Sequence, residues 1–141
     1  MSVALIDDQH LSLVLRGRPS RALGGAELYT TGYWYVRLCQ AVLGAAARPG
    51  VLSGPFLDLP ADLRERAVAG VMQLPDSIGL VSLRELGPLI GQLRRSYNLN
   101  VLEMEALATA TQLQAKVFLS TPSPLLEAAL AGQGRHVRVG T

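Results

Sequence analysis

Two spacings of apolar residues alternate along this chain, one typical of buried strands and the other of helices. Short apolar runs, which indicate strands covered on both faces, lie at residues 3–6, 78–83 and 116–119, with weaker candidates at 28–31 and 136–139. The segments between them carry helical spacing or flanking cap residues such as Thr31 and Ser123. Helices are therefore predicted at residues 11–15, 32–47, 61–72, 85–97, 101–114 and 124–131.

Strands that alternate with helices argue for a mainly parallel sheet covered on both sides. We therefore predict one α/β domain over residues 1–141, with three layers built around four or five strands. Ligands of such sheets bind at the carboxyl ends of the strands. Asp7 and Asp8 follow the first predicted strand, and Ser120 and Thr121 follow the strand at 116–119. These four side chains are therefore expected at one cleft.

Composition and charge narrow the class of protein without identifying it. The chain has 141 residues, 49% hydrophobic and 17% charged, so it has enough apolar side chains for a packed core. A net charge of +2 permits a nucleic-acid partner without demanding one. Apolar runs of about 18 residues and a basic leader before Asp7 are both lacking, so neither a membrane span nor a secretory signal is predicted. The lone Cys39, predicted to fill the core, fits a reducing, cytoplasmic environment.

Two segments give the chain a resemblance to a known family. The opening VALIDD places acidic residues directly after the first strand. The closing LEMEALATATQLQAKVFLSTPSPLLEAAL, followed by a glycine turn and HVRV, combines an alanine-rich helix, an apolar strand, a turn, a helix and a last strand. With the order of elements from Val3 to Val139, these segments resemble a PIN domain, the ribonuclease fold of VapC-type toxins in bacterial toxin–antitoxin pairs. The resemblance implies a PIN-like three-layer fold.

The resemblance also implies which residues stand at the metal site of the family. Four carboxylates there gather one or two Mg²⁺ or Mn²⁺ ions, which activate water and stabilise charge on the phosphate. At the corresponding positions this chain carries Asp7, Arg37, Glu103 and Pro122. Asp7 and Glu103 therefore remain as the catalytic and metal-binding candidates. No cofactor is expected unless the site is active, in which case Mg²⁺ or Mn²⁺ is implied.

Each of these residues also has a structural interpretation. Asp7 is either a catalytic remnant or the N-cap of the first helix, with Asp8 the better cap candidate or else exposed. Glu103 is expected at the cleft or interacting with the helix dipole, whereas Glu105 is expected in solvent. Arg37 is expected either to bridge Asp7 and Glu103 in place of a metal ion or to extend along its helix to the surface.

Aromatic and basic residues supply further candidates. Trp34 is predicted to pack in the core, while Tyr33 and Tyr35 are predicted to line the cleft or a dimer interface. Weak candidates for nucleic-acid contacts, which are otherwise solvated surface charges, are Arg16, Arg18, Arg94 and Arg95. His10 and His136 stand apart from other metal-ligand residues in the sequence, so zinc is not predicted.

Three functions are consistent with these residues. The first is a PIN-like domain with a degenerate metal site that binds RNA or a protein partner, such as an antitoxin-like protein, and that pairs as a homodimer. The second is an active Mg²⁺- or Mn²⁺-dependent ribonuclease in which Asp8, Glu27 and Glu103 replace the missing ligands. The third is a structural subunit of a larger assembly, which an exposed apolar patch around Tyr33 and Tyr35 would favour.

Overall fold

One parallel sheet forms the centre of the molecule. The structure, a computed structural model, describes residues 2–44 and 50–141. Its strands are β1 (Val3–Ile6), β2 (Glu27–Thr30), β3 (Ile78–Leu80), β4 (Lys116–Leu119) and β5 (Val137–Val139). They pair in the order β3-β2-β1-β4-β5, and every pairing is parallel.

Seven α-helices in the described part of the chain cover the two faces of this sheet, and a short 3-10 helix, Arg21–Leu23, precedes β2. On one face lie α1 (Asp8–Leu15), α2 (Gly32–Leu43), α3 (Gly54–Leu57) and α4 (Ala61–Met72). On the other face lie α5 (Leu83–Leu93), α6 (Val101–Leu113) and α7 (Pro124–Gly132). The predicted three-layer α/β fold with a parallel sheet of four to five strands is confirmed.

The two faces of β1 show why its sequence is continuously apolar. Ala4 and Ile6 pack into the core of the first helical layer, together with Phe56. Leu5 points to the opposite face and packs with Leu107 of α6. These three of the four β1 side chains are at most 1% exposed. A strand buried on both faces has no polar side to present, and this is what the run at residues 3–6 predicts.

Several element boundaries differ from the predicted ones, mostly because of capping. The first helix begins at Asp8, three residues earlier than predicted, because Asp7 caps it. The strand predicted at 78–83 ends at Leu80, because the side chain of Ser82 caps α5 by accepting from the nitrogen of Glu85. The predicted loop at 51–60 contains α3. The predicted helix at 32–47 is observed to Leu43, and its last three residues lie outside the described ones.

The strand order places a crevice between β1 and β4. From β1 the chain proceeds outwards to β2 and β3 on one side, and β4 and β5 then fill the other side. Ligand sites of open parallel sheets lie outside the carboxyl ends of the strands at such a reversal. Asp7 follows β1 and Ser120 follows β4 directly at this point. None of the helices in the described residues has the length and apolar character needed to cross a bilayer.

Candidate functional site

A polar cavity of about 310 Å³ opens at the carboxyl edge of β1 and β4. The start of α1, the first half of α2, the start of α6 and the turn after β4 form its walls. The charged and hydroxyl side chains that line it are Asp7, Asp8, Arg37, Glu103, Thr121 and Ser123. The structure thus brings together both carboxylates that the resemblance assigned to the site.

Asp7 is held by hydrogen bonds from two directions. Its Oδ1 accepts from the backbone nitrogen of His10 at 3.0 Å, as an N-cap does. The backbone nitrogen of Ser120 donates to Oδ2 at 2.7 Å, and the Ser120 hydroxyl donates to Oδ1 at 2.9 Å. Asp7 is 5% exposed. The capping interpretation is therefore correct for Asp7, and the prediction that Asp8 is the better cap is wrong.

Asp8 is the partner of Arg37. The Arg37 Nε lies 3.4 Å from the Asp8 Oδ2, and the Asp8 side chain is 8% exposed while that of Arg37 is 56% exposed. Burial, and then the neighbouring Asp7 carboxylate, raise the pKa of Asp8 despite the opposing effect of Arg37. Among the described residues this is the one ion pair within 4.0 Å, so the predicted bridge from Arg37 to Asp7 and Glu103 is wrong. The surface-exposed interpretation of Arg37 is the closer one.

Glu103 lies on the opposite wall of the cavity. Asn100 caps α6 by accepting from the Glu103 nitrogen at 2.8 Å, which fixes the first turn of that helix. The Glu103 Oε2 then accepts from the Ser123 hydroxyl at 3.1 Å. The carboxylate is half-buried and ties α6 to the turn before α7. Glu103 therefore lies both at the cleft and in the first turn of α6, the two places that were predicted as alternatives.

The prediction that Glu105 lies in solvent is also wrong. It is 1% exposed, and its Oε1 and Oε2 accept from the nitrogens of Tyr33 at 2.8 Å and Gly32 at 3.0 Å. A carboxylate of α6 thus binds the first N–H groups of α2, where the helix dipole favours negative charge. The burial of Glu105 could have been predicted from residues 104–110, which are apolar on every side of the helix. A helix of that kind is buried, so its polar side chains need hydrogen-bond partners within the protein.

A second, larger cavity shares residues with the first. It has a volume of about 570 Å³ and lies between the start of α1, the second half of α2 and residues 50–53. Asp8, Gln9 and Arg37 line both cavities. The Asp8–Arg37 ion pair therefore lies between them, and any ligand that extends from one cavity into the other meets it.

The remaining candidates lie away from this edge or are engaged in the fold. Glu27 pairs with Val3, at the amino end of the sheet, so it cannot join Asp8 and Glu103 at one ion. The Arg94 guanidinium donates to the carbonyl of Leu99, and Arg95 is exposed. The lining of the 310 Å³ cavity, as far as the described residues define it, includes none of the four arginines Arg16, Arg18, Arg94 and Arg95.

The aromatic residues divide between core and surface. Trp34 is 4% exposed, which confirms the core prediction, and it also forms part of the wall of the first cavity. The Tyr35 hydroxyl donates to the carbonyl of Val71 at 2.6 Å, so this ring packs against α4 and away from the cavity. Tyr33 is 38% exposed. Cys39 is a free, half-buried thiol beside the same Val71 carbonyl.

The residues at this edge do not fit the Mg²⁺ or Mn²⁺ ion that the resemblance implies. The Asp7 oxygens already accept three hydrogen bonds, and Arg37 places a cation at a position that the resemblance assigns to a ligand. Pro122, at the fourth position, has no side-chain donor atom. Among the described residues, no three His, Cys, Asp or Glu side chains come together as a metal site.

Comparison with known proteins gives no family for this chain. The family models contain no match to it, and neither do the curated protein sequences.

Proposed function

We propose that this chain is a PIN-like domain in which hydrogen bonds and an ion pair replace the metal site, and that it acts as a metal-independent binding module. The observation that carries this proposal is the state of Asp8. Its carboxylate is buried beside Asp7, an arrangement that opposes ionisation, and its cationic partner is more than half exposed. A carboxylate buried in an arrangement that opposes its ionisation is typical of functional sites.

A protein partner suits the cavity better than RNA does. Three carboxylates, those of Asp7, Asp8 and Glu103, line it together with one guanidinium, that of Arg37. Phosphates would approach an excess of negative charge, whereas a lysine or arginine side chain of a partner would find complementary charge. An antitoxin-like protein that inserts a basic residue here is therefore the proposed ligand, and RNA at this cavity is the alternative.

Self-association is the second part of the proposal. The exposed face of α2 carries Tyr33, Val36 and Leu43, which are 38%, 48% and 41% exposed. These apolar side chains lie on the same helix as Arg37, and a homodimer through α2 would cover them. Light scattering after gel filtration tests this: Val36→Glu is expected to give a monomer and the matched Met72→Glu on α4 a dimer. A parent protein that is monomeric at all concentrations would remove the homodimer from the proposal.

Cleavage of a mixed RNA substrate tests the absence of nuclease activity. The parent protein is expected to leave the RNA intact with Mn²⁺, with Mg²⁺ and with EDTA. Metal-dependent cutting that disappears in EDTA and in Asp7→Ala would contradict the binding-module proposal and favour an active ribonuclease with a rearranged site. The stability of Asp7→Ala must be measured in parallel, because Asp7 also holds the fold.

A gain-of-function variant tests the PIN-like assignment itself. Arg37→Asp and Pro122→Asp together would restore carboxylates at the two positions where the family has them. If the correspondence of positions is correct, calorimetry should detect Mn²⁺ binding to the double variant that the parent protein lacks. The control makes the same two changes at exposed positions of α5, Arg84→Asp with Pro88→Asp. Equal Mn²⁺ binding by the two variants would show that the correspondence is wrong.

A further inference from the structure

A basic cavity lies at the opposite end of α1 from the acidic one. It has a volume of about 270 Å³ and forms where the end of α1 meets α4. Three of its lining residues are arginines, Arg16, Arg18 and Arg66, and the rest are apolar residues and one glycine: Leu15, Gly17, Leu59, Leu63 and Ala67. Three cations therefore surround one small cavity with an apolar wall.

The Arg16 guanidinium is fixed in position by the protein. Its Nε donates to the Ser12 hydroxyl at 3.1 Å, one helical turn earlier. Its central carbon lies 5.9 Å from the centre of the Phe56 ring. A guanidinium that is held through Nε and against an aromatic ring keeps its two terminal nitrogens for an anion. Arg16 is thus ordered before any ligand arrives.

Among the described residues, no carboxylate lies within 4.0 Å of the nitrogens of these arginines. The ion pair that the described residues form within 4.0 Å is the one between Arg37 and Asp8, at the other end of α1. On α4, Asp62 and Glu65 are exposed and lie outside the cavity lining. Burial, and then the neighbouring Arg18, lower the pKa of Arg16. A bound anion would relieve this crowding of like charges.

We infer that Arg16, Arg18 and Arg66 form a site for a phosphate monoester, such as the phosphate of a nucleotide or the 5′-phosphate of an RNA strand. Arginine forks match phosphate oxygens, and three cations suit a group that carries close to two negative charges better than a phosphodiester with one. The leucines of the wall, Leu15, Leu59 and Leu63, offer apolar contact to the sugar or base that carries the phosphate.

This site is separate from the proposed binding module. Asp8 and Arg16 are the first residue of α1 and the residue that caps its end, so they are about 12 Å apart along the helix axis. An absence of phosphate binding would not contradict the proposals for the acidic cavity. Experiments that contradict those proposals would likewise not bear on the phosphate site.

Fluorescence anisotropy with two short single-stranded RNAs of one sequence tests the inference, one with a 5′-phosphate and one with a 5′-hydroxyl. The 5′-phosphorylated RNA is expected to bind about tenfold more tightly. Arg18→Gln and Arg66→Gln should each remove most of that difference, while the matched Arg84→Gln on α5 should retain it. Arg16 is left unchanged, because its contacts to Ser12 and Phe56 also support the fold.

Competition identifies the source of the phosphate. Displacement by a nucleoside monophosphate but not by inorganic phosphate would support a nucleotide site with apolar contacts, and equal displacement by both would support a site for phosphate alone. Equal affinity for the two RNAs, or a difference that survives both arginine variants, would overturn the inference. Displacement by an acidic, unphosphorylated peptide as effective as that by the monophosphate would also overturn it, in favour of a protein ligand.

Discussion

The carboxylate of Asp7 accepts hydrogen bonds from both the backbone nitrogen and the hydroxyl of Ser120, a residue 113 positions later in the chain. These bonds join the end of β1 to the end of β4, across the crevice where the strand order reverses. The same carboxylate caps α1. The position that the resemblance assigned to a metal ligand therefore serves in this chain to close the carboxyl edge of the sheet.

Replacement of Asp7 by alanine should destabilise the fold strongly. The change leaves the nitrogens of His10 and Ser120 and the Ser120 hydroxyl without their acceptor in a buried place. Bonds of this kind to a charged group contribute roughly 1.5–3 kcal/mol each, and since they share one acceptor we expect a total loss of about 2–4 kcal/mol. Urea unfolding measures it. The exposed Asp76 provides the control, since Asp76→Ala should stay within about 0.5 kcal/mol of the parent.

Replacement of Glu105 by alanine should cost a similar amount and should also disturb the ion pair. The two N–H groups that Glu105 accepts from belong to Gly32 and Tyr33, and Arg37 lies one turn later on the same helix. We expect a loss of about 2–4 kcal/mol in the free energy of unfolding. Glu65→Ala, an exposed change on α4, should be nearly neutral. Equal stability of the two variants would mean that Glu105 does not hold α2.

The strands and their parallel arrangement could be predicted because a strand buried on both faces needs consecutive apolar residues, and few other segments show them. The runs at residues 3–6 and 116–119 gave their strands with the observed bounds. The weaker segment at residues 136–139 predicts an edge strand one residue longer than the observed β5. The predicted helix starts at residues 32, 61, 101 and 124 are confirmed. The start of α1 was predicted three residues too late, because the sequence does not show which of two neighbouring acids turns its side chain towards the helix.

The partners of the charged residues could not be predicted, because periodicity gives the face of an element and not the residue opposite it. Asp7 and Asp8 are adjacent in sequence, yet capping turns Asp7 into the first turn of α1 and leaves Asp8 to face α2 and Arg37. Glu105 lies one helical turn before Thr109, a spacing of polar residues that predicts an exposed face, although both residues are 1% exposed. On a helix that is buried all round, such spacing does not identify an exposed face.

Gly79 should not tolerate a side chain. A Cβ at this position of β3 would overlap the ring of Tyr29 on the neighbouring strand β2, with which it pairs directly. We expect Gly79→Ala to lose about 1–3 kcal/mol through overpacking. In contrast, a Cβ at Gly91 on the exposed side of α5 meets no atom within 4 Å, so Gly91→Ala should gain about 0.5–1 kcal/mol. Thermal unfolding compares the two.

A compensating change distinguishes overlap with the ring from other causes. If the Tyr29 ring is the obstacle, Gly79→Ala should cost much less in a Tyr29→Ala background than in the parent, since the added methyl group then fills vacated space. A cost that is the same in both backgrounds would mean that the strand itself requires glycine at position 79.

Replacement of Asp8 by asparagine should change how stability depends on pH. The raised pKa of Asp8 means that the folded state holds its proton to a higher pH than the unfolded state does. Ionisation of Asp8 therefore lowers stability as pH rises from the ordinary aspartate range through the raised pKa of the folded state. The asparagine side chain does not ionise, and its oxygen can keep the bond from the Gln9 nitrogen.

Asp8→Asn should thus gain stability relative to the parent as the pH rises from about 4, the ordinary aspartate pKa, through the raised pKa of Asp8 in the folded state. Loss of the pair with the exposed Arg37 should offset little of that gain. Urea unfolding at several pH values measures the difference between the two proteins. If the difference in unfolding free energy between the two proteins is the same at every pH, the pKa of Asp8 is not raised in the folded state. The binding-module proposal would then lose the observation that supports it.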